Sequence, residues 1–144
     1  MIVGEAPSRT GNPRTPITGR CGETLARYSG LSGPEFRRRF ARANVLRFWP
    51  GESGAKGAAF PTAEATLRAH AMRRRLRGRV VVMLGYRTAA AFRVRVRYFV
   101  PVAAFGGTVY VVPHPSGINR WYNDRGNRLK MRMFMRLVVM GVRP

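Results

Sequence analysis

The run Val80-Val81-Val82-Met83-Leu84 constrains the fold more than any other stretch of the chain. Five consecutive apolar residues, three of them β-branched, leave no polar side for solvent, so as a strand the run must be covered on both faces. Strands of that kind belong to parallel sheets held between helices. Thr108-Val109-Tyr110-Val111-Val112 reads the same way, and Met1-Ile2-Val3 and Ala43-Asn44-Val45-Leu46 read as shorter strands. Helical segments separate them, and short strands alternating with helices imply a parallel sheet layered on both sides. The expected fold is therefore α/β: a three-layer α/β/α sandwich with a short, mainly four-stranded parallel sheet, built as a single domain over residues 1–144.

The helices announce themselves by caps and periodicity. Gly22 to Tyr28 reads as a short helix carrying Leu25 inward. Ser32-Gly33-Pro34-Glu35 matches a capping box with proline in the first turn, after which Phe36 and Phe40 share a face. Thr62 is expected to cap a helix ending near Arg77 at Gly78, with Leu67, Ala71 and Leu76 facing the core. Gly85 opens a short helix from Tyr86 to Phe92. Leu129, Met133, Leu137 and Met140 give an amphipathic C-terminal helix ended by Gly141, with its methionines expected in the core. Arg93-Val94-Arg95-Val96-Arg97 alternates like an edge or hairpin strand whose arginines either track phosphates or form a solvated, protective edge. The glycine-rich segment from Gly51 to Ala59 reads as a surface loop.

In a parallel sheet the loops that follow the strands emerge at one edge. That edge would gather Glu5 with its loop, Asn44, Gly85 and His114, which are remote from one another in sequence. The supply of chemistry is short. Glu5, Glu23, Glu35, Glu52, Glu64 and Asp124 are the only acids, and His70 and His114 the only histidines. Glu35 and Glu64 are accounted for by helix starts, and His70 sits in mid-helix with no partner motif. Cys21 is alone, so neither an internal disulfide nor a multi-cysteine metal or iron–sulfur site can be assembled.

The charge points to the partner. There are 27 Lys plus Arg against 6 Asp plus Glu, a formal +21, and Lys56 and Lys130 are the only lysines. Arginine grips phosphate bidentately and stacks on bases, so a polyanion is the natural partner, although a general bias toward arginine would give the same excess. No run of about 18 apolar residues is present and no signal-peptide pattern precedes Gly4, so a membrane is not expected and the cytoplasm, in association with the nucleoid, is.

Two motifs turn these readings into a resemblance. Gly4-Glu5-Ala6-Pro7 after the first strand, and His114-Pro115-Ser116-Gly117-Ile118-Asn119-Arg120 after the last, resemble the water-activating and base-recognition motifs of the uracil-DNA glycosylase superfamily. Asn44-Val45 is similar to that family's asparagine-bearing strand end, and Met83-Leu84-Gly85 to its third-strand region. The likeness follows the family's order over almost the whole chain.

It implies a DNA glycosylase, monofunctional and acting in base excision repair, that hydrolyses the N-glycosidic bond of uracil or a modified pyrimidine flipped out of DNA. Such chemistry needs a group to orient water, a group to stabilise the departing base, and something to fill the gap in the stack. The resemblance assigns Glu5 to the first and His114 to the second, as the catalytic pair. Gly4, Ala6, Pro7, Ile17 and Asn44 would bind the base. Ser8, Ser116, Gly117, Ile118, Asn119 and Arg120 would contact DNA, with Ile118 as the wedge. On the residues alone, alternatives stay open. Glu5 can serve as an ion-pair partner, Asn44 as a turn cap and His114 as a loop brace. Ile118 can pack locally, and Trp121 and Tyr122 can either stack on bases or pack in the core.

The resemblance also implies no cofactor and no metal for catalysis, with DNA as partner and a monomer as the working form; the cysteines that hold the iron–sulfur cluster of one subgroup are missing here, so no cluster is expected. Two departures stand out. Ser8 replaces a glycine or other small residue, and Ile17, in Thr15-Pro16-Ile17-Thr18-Gly19, replaces the aromatic that stacks on the flipped base, which leaves the identity of that base open. The rival reading is a non-catalytic module that keeps this fold to bind nucleic acid or a protein. A third is a related enzyme acting on a free nucleotide or on hypermodified DNA.

Overall fold

In a computed structural model, which describes residues 1–52, 59–117 and 119–142, the continuous apolar runs form the middle of one sheet. Strands β1 (Ile2–Gly4), β2 (Arg42–Asn44), β3 (Val80–Leu84), β4 (Val102–Ala104) and β5 (Gly107–Val112) lie in the order β2-β1-β3-β5-β4. The pairs β2·β1, β1·β3 and β3·β5 are parallel, and β4 joins β5 antiparallel at the edge. The four parallel strands are the expected ones; the fifth is an addition. Both cores follow from the alternation of strand side chains. Ile2, Val82, Leu84, Tyr110 and Val112 face helices α1 (Gly19–Ser29), α2 (Gly33–Arg39) and α5 (Arg125–Met140). Val3, Val81, Met83, Val109 and Val111 face α3 (Thr62–Leu76) and α4 (Tyr86–Ala91). The three layers are thus an outcome of apolar residues on successive sides of each strand.

The capping box forms as read: Ser32 N–H donates to Glu35 Oε2 at 2.8 Å, and Glu35 N–H donates back to Ser32 Oγ at 3.4 Å. The Ser32 hydroxyl, which donates to Glu35 Oε2 at 2.5 Å, and after it the Ser32 N–H hold the Glu35 carboxyl below its ordinary range. Phe36 and Phe40 lie with ring centroids 5.0 Å apart, both buried. Gly141 closes α5 in the left-handed conformation, φ 74°.

Four details differ from expectation. Thr62 is the first helical residue of α3 and not its cap; Pro61 holds the cap position with no side-chain bond. The face of α3 turned to the sheet is Ala65, Ala69 and Leu76, while Leu67 is 73% exposed and Ala71 is also exposed. In α5 the phase is likewise shifted: Met131, Phe134 and Met135 are buried, while Leu129, Met133 and Met140 are more than half exposed. Residues 93–97 form no strand. Arg93 takes a left-handed φ of 56°, only Tyr98 bridges to Val111, and the free edge of β5 is occupied by β4 through the two-residue turn Phe105-Gly106, both with positive φ. Of the expected surface loop, 53–58 lies outside the described residues.

The α5 phase is directly measurable. Phe134 packs edge-on against both Phe99 and Tyr110, at centroid distances of 5.4 and 5.3 Å. Phe134→Ala is expected to cost about 3–5 kcal/mol by denaturant unfolding. Met133→Ala, one residue away on the exposed face, is expected to cost less than about 0.5 kcal/mol. Equal losses would contradict the packing described.

Candidate active site

The sheet's register brings the remote candidates together. Gly4 pairs with Asn44 across β1 and β2, so the residue after each strand leaves the same edge. Val45 N–H donates to Gly4 O and Leu46 N–H to Glu5 O, both at 2.9 Å, so the backbone carrying Glu5 is pinned to its neighbour. On the other side Gly85 N–H donates to Val112 O at 2.8 Å, tying the end of β3 to the start of the His114 loop.

Gly85 is where Glu5 and His114 meet. A Cβ added there would stand 3.1 Å from Glu5 Oε1 and 3.2 Å from His114 Cβ, and the residue has a φ of 84°. Only glycine serves: its backbone is left-handed, and both functional side chains lie in contact range over its Cα. The signal was visible as a lone glycine at a buried strand's end, but its reason is the two side chains above it.

Both groups sit in a cleft of about 540 Å³ whose wall includes Gly4, Ala6, Pro7, Ile17, Asn44 and Ser116. The cleft's burial raises the Glu5 carboxyl above its ordinary range, and the charge of Arg87 opposes this. Arg87 Nη1 stands 4.0 Å from Glu5 Oε2, at the outer limit of an ion pair, so burial is the larger effect. Burial and, to a lesser degree, Arg87 hold His114 down to about 4, which leaves it neutral at physiological pH. A neutral imidazole donates one N–H, and a carboxylate beside it accepts a proton. The pair can therefore orient and deprotonate water while supplying a hydrogen bond to a developing negative charge.

The loop after β5 is built to hold His114 still. Ser116 N–H donates to His114 O at 2.8 Å, and Asn119 Nδ2 donates to the same carbonyl at 2.9 Å. Asn119 Oδ1 in turn caps the short 3-10 turn Arg120–Asn123 by accepting from Trp121 N–H at 3.1 Å. Tyr122 Oη donates to Pro113 O at 2.7 Å, and its ring stacks on Tyr28 at 5.9 Å. Trp121 stacks on Phe99 at 5.6 Å. Of the two uses open to Trp121 and Tyr122, packing against the core is the one found. Asn119's amide is engaged inside the loop, Ser8 is exposed on the cleft wall, Gly117 lies at its mouth, Arg120 is exposed but does not line the cleft, and Ile118 lies outside the described residues.

Ile17 takes a left-handed φ of 55° although β-branched, and is buried against Gly4, where an added Cβ would lie 3.4 Å from its Cγ1. Gly22 makes that conformation possible, because a Cβ there would fall 2.3 Å from Ile17 O. Backbone held in that region at a cleft wall is over-determined by its surroundings, as functional positions often are. Asn44 Oδ1 lies on the same wall, 2.8 Å from where a Cβ on Gly4 would be.

One lining residue escaped the reading of the sequence. Trp49 is the aromatic on the cleft wall, with the Arg9 guanidinium 5.9 Å from its ring centroid. The available signal was an aromatic five residues beyond Asn44, at the same sheet edge. Arg20 and Cys21 also line the cleft, and burial pushes the Cys21 thiol up to about 12, which leaves it inert. Among the described residues no three His, Cys, Asp or Glu side chains come together, and no helix is long and apolar enough to cross a membrane.

A sequence model of the Uracil DNA glycosylase superfamily matches residues 1–138, nearly the whole chain. No curated protein matches the sequence.

Proposed function

The chain belongs to the uracil-DNA glycosylase superfamily, whose work is of the DNA glycosylase type on a DNA substrate, and from that premise we propose that it hydrolyses the N-glycosidic bond of uracil or a modified pyrimidine flipped out of DNA. The observation that carries this reading is the meeting of Glu5 and His114 over Gly85, inside a cleft whose wall also bears Asn44.

In this proposal the residues divide the work as follows. Glu5 holds a water and takes its proton as the water oxygen adds to C1′ of the deoxyribose. The C1′–N bond breaks with its electron pair going to the base, and negative charge spreads to a ring carbonyl oxygen. His114 donates a hydrogen bond to that oxygen, and a donor fixed in place there is worth about 3 kcal/mol. Asn44 offers an amide donor and acceptor to the pyrimidine edge. Ile17 and Trp49 both line the cleft, and in this proposal Trp49, from the segment after β2, offers the base the stacking ring that position 17 lacks. Ser116, Gly117 and Arg120 contact the backbone, and Ile118 fills the vacated stack. The non-catalytic module draws on the same +21 charge, but it gives no reason to keep a carboxylate and a neutral imidazole together in a desolvated cleft.

The test is base release from single- and double-stranded oligonucleotides carrying uracil or modified pyrimidines, with modified purines alongside. At least one pyrimidine is expected to be released as free base. No release from any of them, by protein shown to be folded, would overturn the enzymatic reading.

A further inference from the structure

A second groove opens on the far side of the His114 loop. It holds about 600 Å³ and meets the base cleft at Pro115, Ser116, Gly117 and Arg20, which line both. It is lined by Arg20, Arg27 and Arg128 against the single acid Glu23, where the base cleft has Arg9 and the shared Arg20 beside Glu5.

The three guanidinium groups are set by distinct devices. Arg20 and Arg27 are seven residues apart on α1, two turns and so one face, about 10 Å along the helix axis. That separation is about the axial rise of three nucleotides. Arg128, from the first turn of α5, donates through Nη1 to Tyr122 O and Asn123 O, both at 2.8 Å, which anchors it at the groove's far end. Among the described residues neither Arg20 nor Arg27 forms an ion pair, although Glu23 stands four residues before Arg27. Arg20 Nη1 reaches the loop itself, 3.1 Å from where a Cβ on Gly117 would lie.

We propose that this groove is a phosphodiester-binding subsite that seats the DNA strand on one side of the flipped nucleotide. The occupant is argued from continuity: the groove adjoins the base cleft at Ser116 and Gly117, so a strand leaving the cleft on this side meets the exposed Arg20 and Arg27. Guanidinium groups suit phosphates spaced along a backbone, since each offers a planar fork of donors. The inference rests on the glycosylase reading for the strand's direction of approach, and its charge arrangement stands apart from that reading.

The experiment compares binding and base release for Arg20→Ala/Arg27→Ala, Arg20→Lys/Arg27→Lys, and a control pair, Arg74→Ala/Arg75→Ala, taken from exposed positions on α3 across the sheet. The probe is a uracil-containing oligonucleotide, titrated by fluorescence anisotropy at several salt concentrations. The alanine pair is expected to lower the slope of log affinity against log salt by about 2, while the lysine pair keeps most of it. Trimming the oligonucleotide on one side of uracil should weaken the unmodified protein and leave the alanine pair nearly unaffected. An unchanged slope, or an equal loss from the α3 control, would overturn the subsite. Groove-dependent binding without base release from any substrate would sink the glycosylase reading alone, and base release with an unchanged slope would sink the subsite alone.

Discussion

Glu5→Gln is expected to slow single-turnover base release by about 10²- to 10⁴-fold while leaving DNA affinity within about twofold. The change keeps the side chain's shape over Gly85 and removes only its capacity to accept a proton from water. A pH profile sharpens the result. Burial raises the Glu5 carboxyl above its ordinary value, so the rate of the unmodified protein should climb through an acid limb displaced upward from the normal carboxylate range. That limb should vanish in the variant. Stability should move the other way. A carboxyl whose folded pKa is raised favours the native state while protonated and loses that contribution as pH rises through the folded pKa. At neutral pH the ionised Glu5 therefore weakens the fold, and Glu5→Gln should unfold at slightly higher denaturant. A lower rate together with a higher midpoint is the signature of a group retained for chemistry. A group that merely braces the loop would lose both.

His114→Ala is expected to lower the rate by about 10²- to 10³-fold, again with binding largely kept. Its imidazole is held to about 4 by burial, so it is neutral through the working range and donates without first being protonated. The rate of the unmodified protein should accordingly show no limb near the usual histidine value of about 6.5. His114→Asn, which retains an N–H donor on a shorter arm, should recover part of the loss. If the alanine variant keeps its full rate, the leaving base is stabilised elsewhere. The loop itself should survive either change, because the bonds that fix its backbone run to His114 O and not to the ring.

The parallel sheet was legible because Val80–Leu84 and Thr108–Val112 have no polar side to expose, and the convergence of Glu5, Asn44, Gly85 and His114 followed from that topology. The helix phases were not legible. In α5, Leu129-Met133-Leu137-Met140 is as good a helical stripe as Met131-Phe134-Met135-Val138, and the choice is made by Phe99 and Tyr110, which arrive from other elements. In α3 the residues facing the sheet include Ala65 and Ala69, which carry little hydrophobic signal, while the larger Leu67 points to solvent. The alternation at Arg93–Arg97 imitated a strand, but β5 has one free edge and the Val102–Ala104 hairpin fills it. Trp49 escaped because position along the chain does not reveal which loops fold back over the cleft. The site was readable where strand ends dictate it, and unreadable where a loop's path does.

The most direct measurement is the product balance of one turnover. Protein in excess over a uracil-containing oligonucleotide should yield free uracil and an abasic site in equal amounts, with the yield collapsing in Glu5→Gln. Tight, salt-sensitive binding by folded protein that leaves the base attached, for uracil and for every modified pyrimidine tried, would contradict the central claim and leave a DNA-binding module in its place.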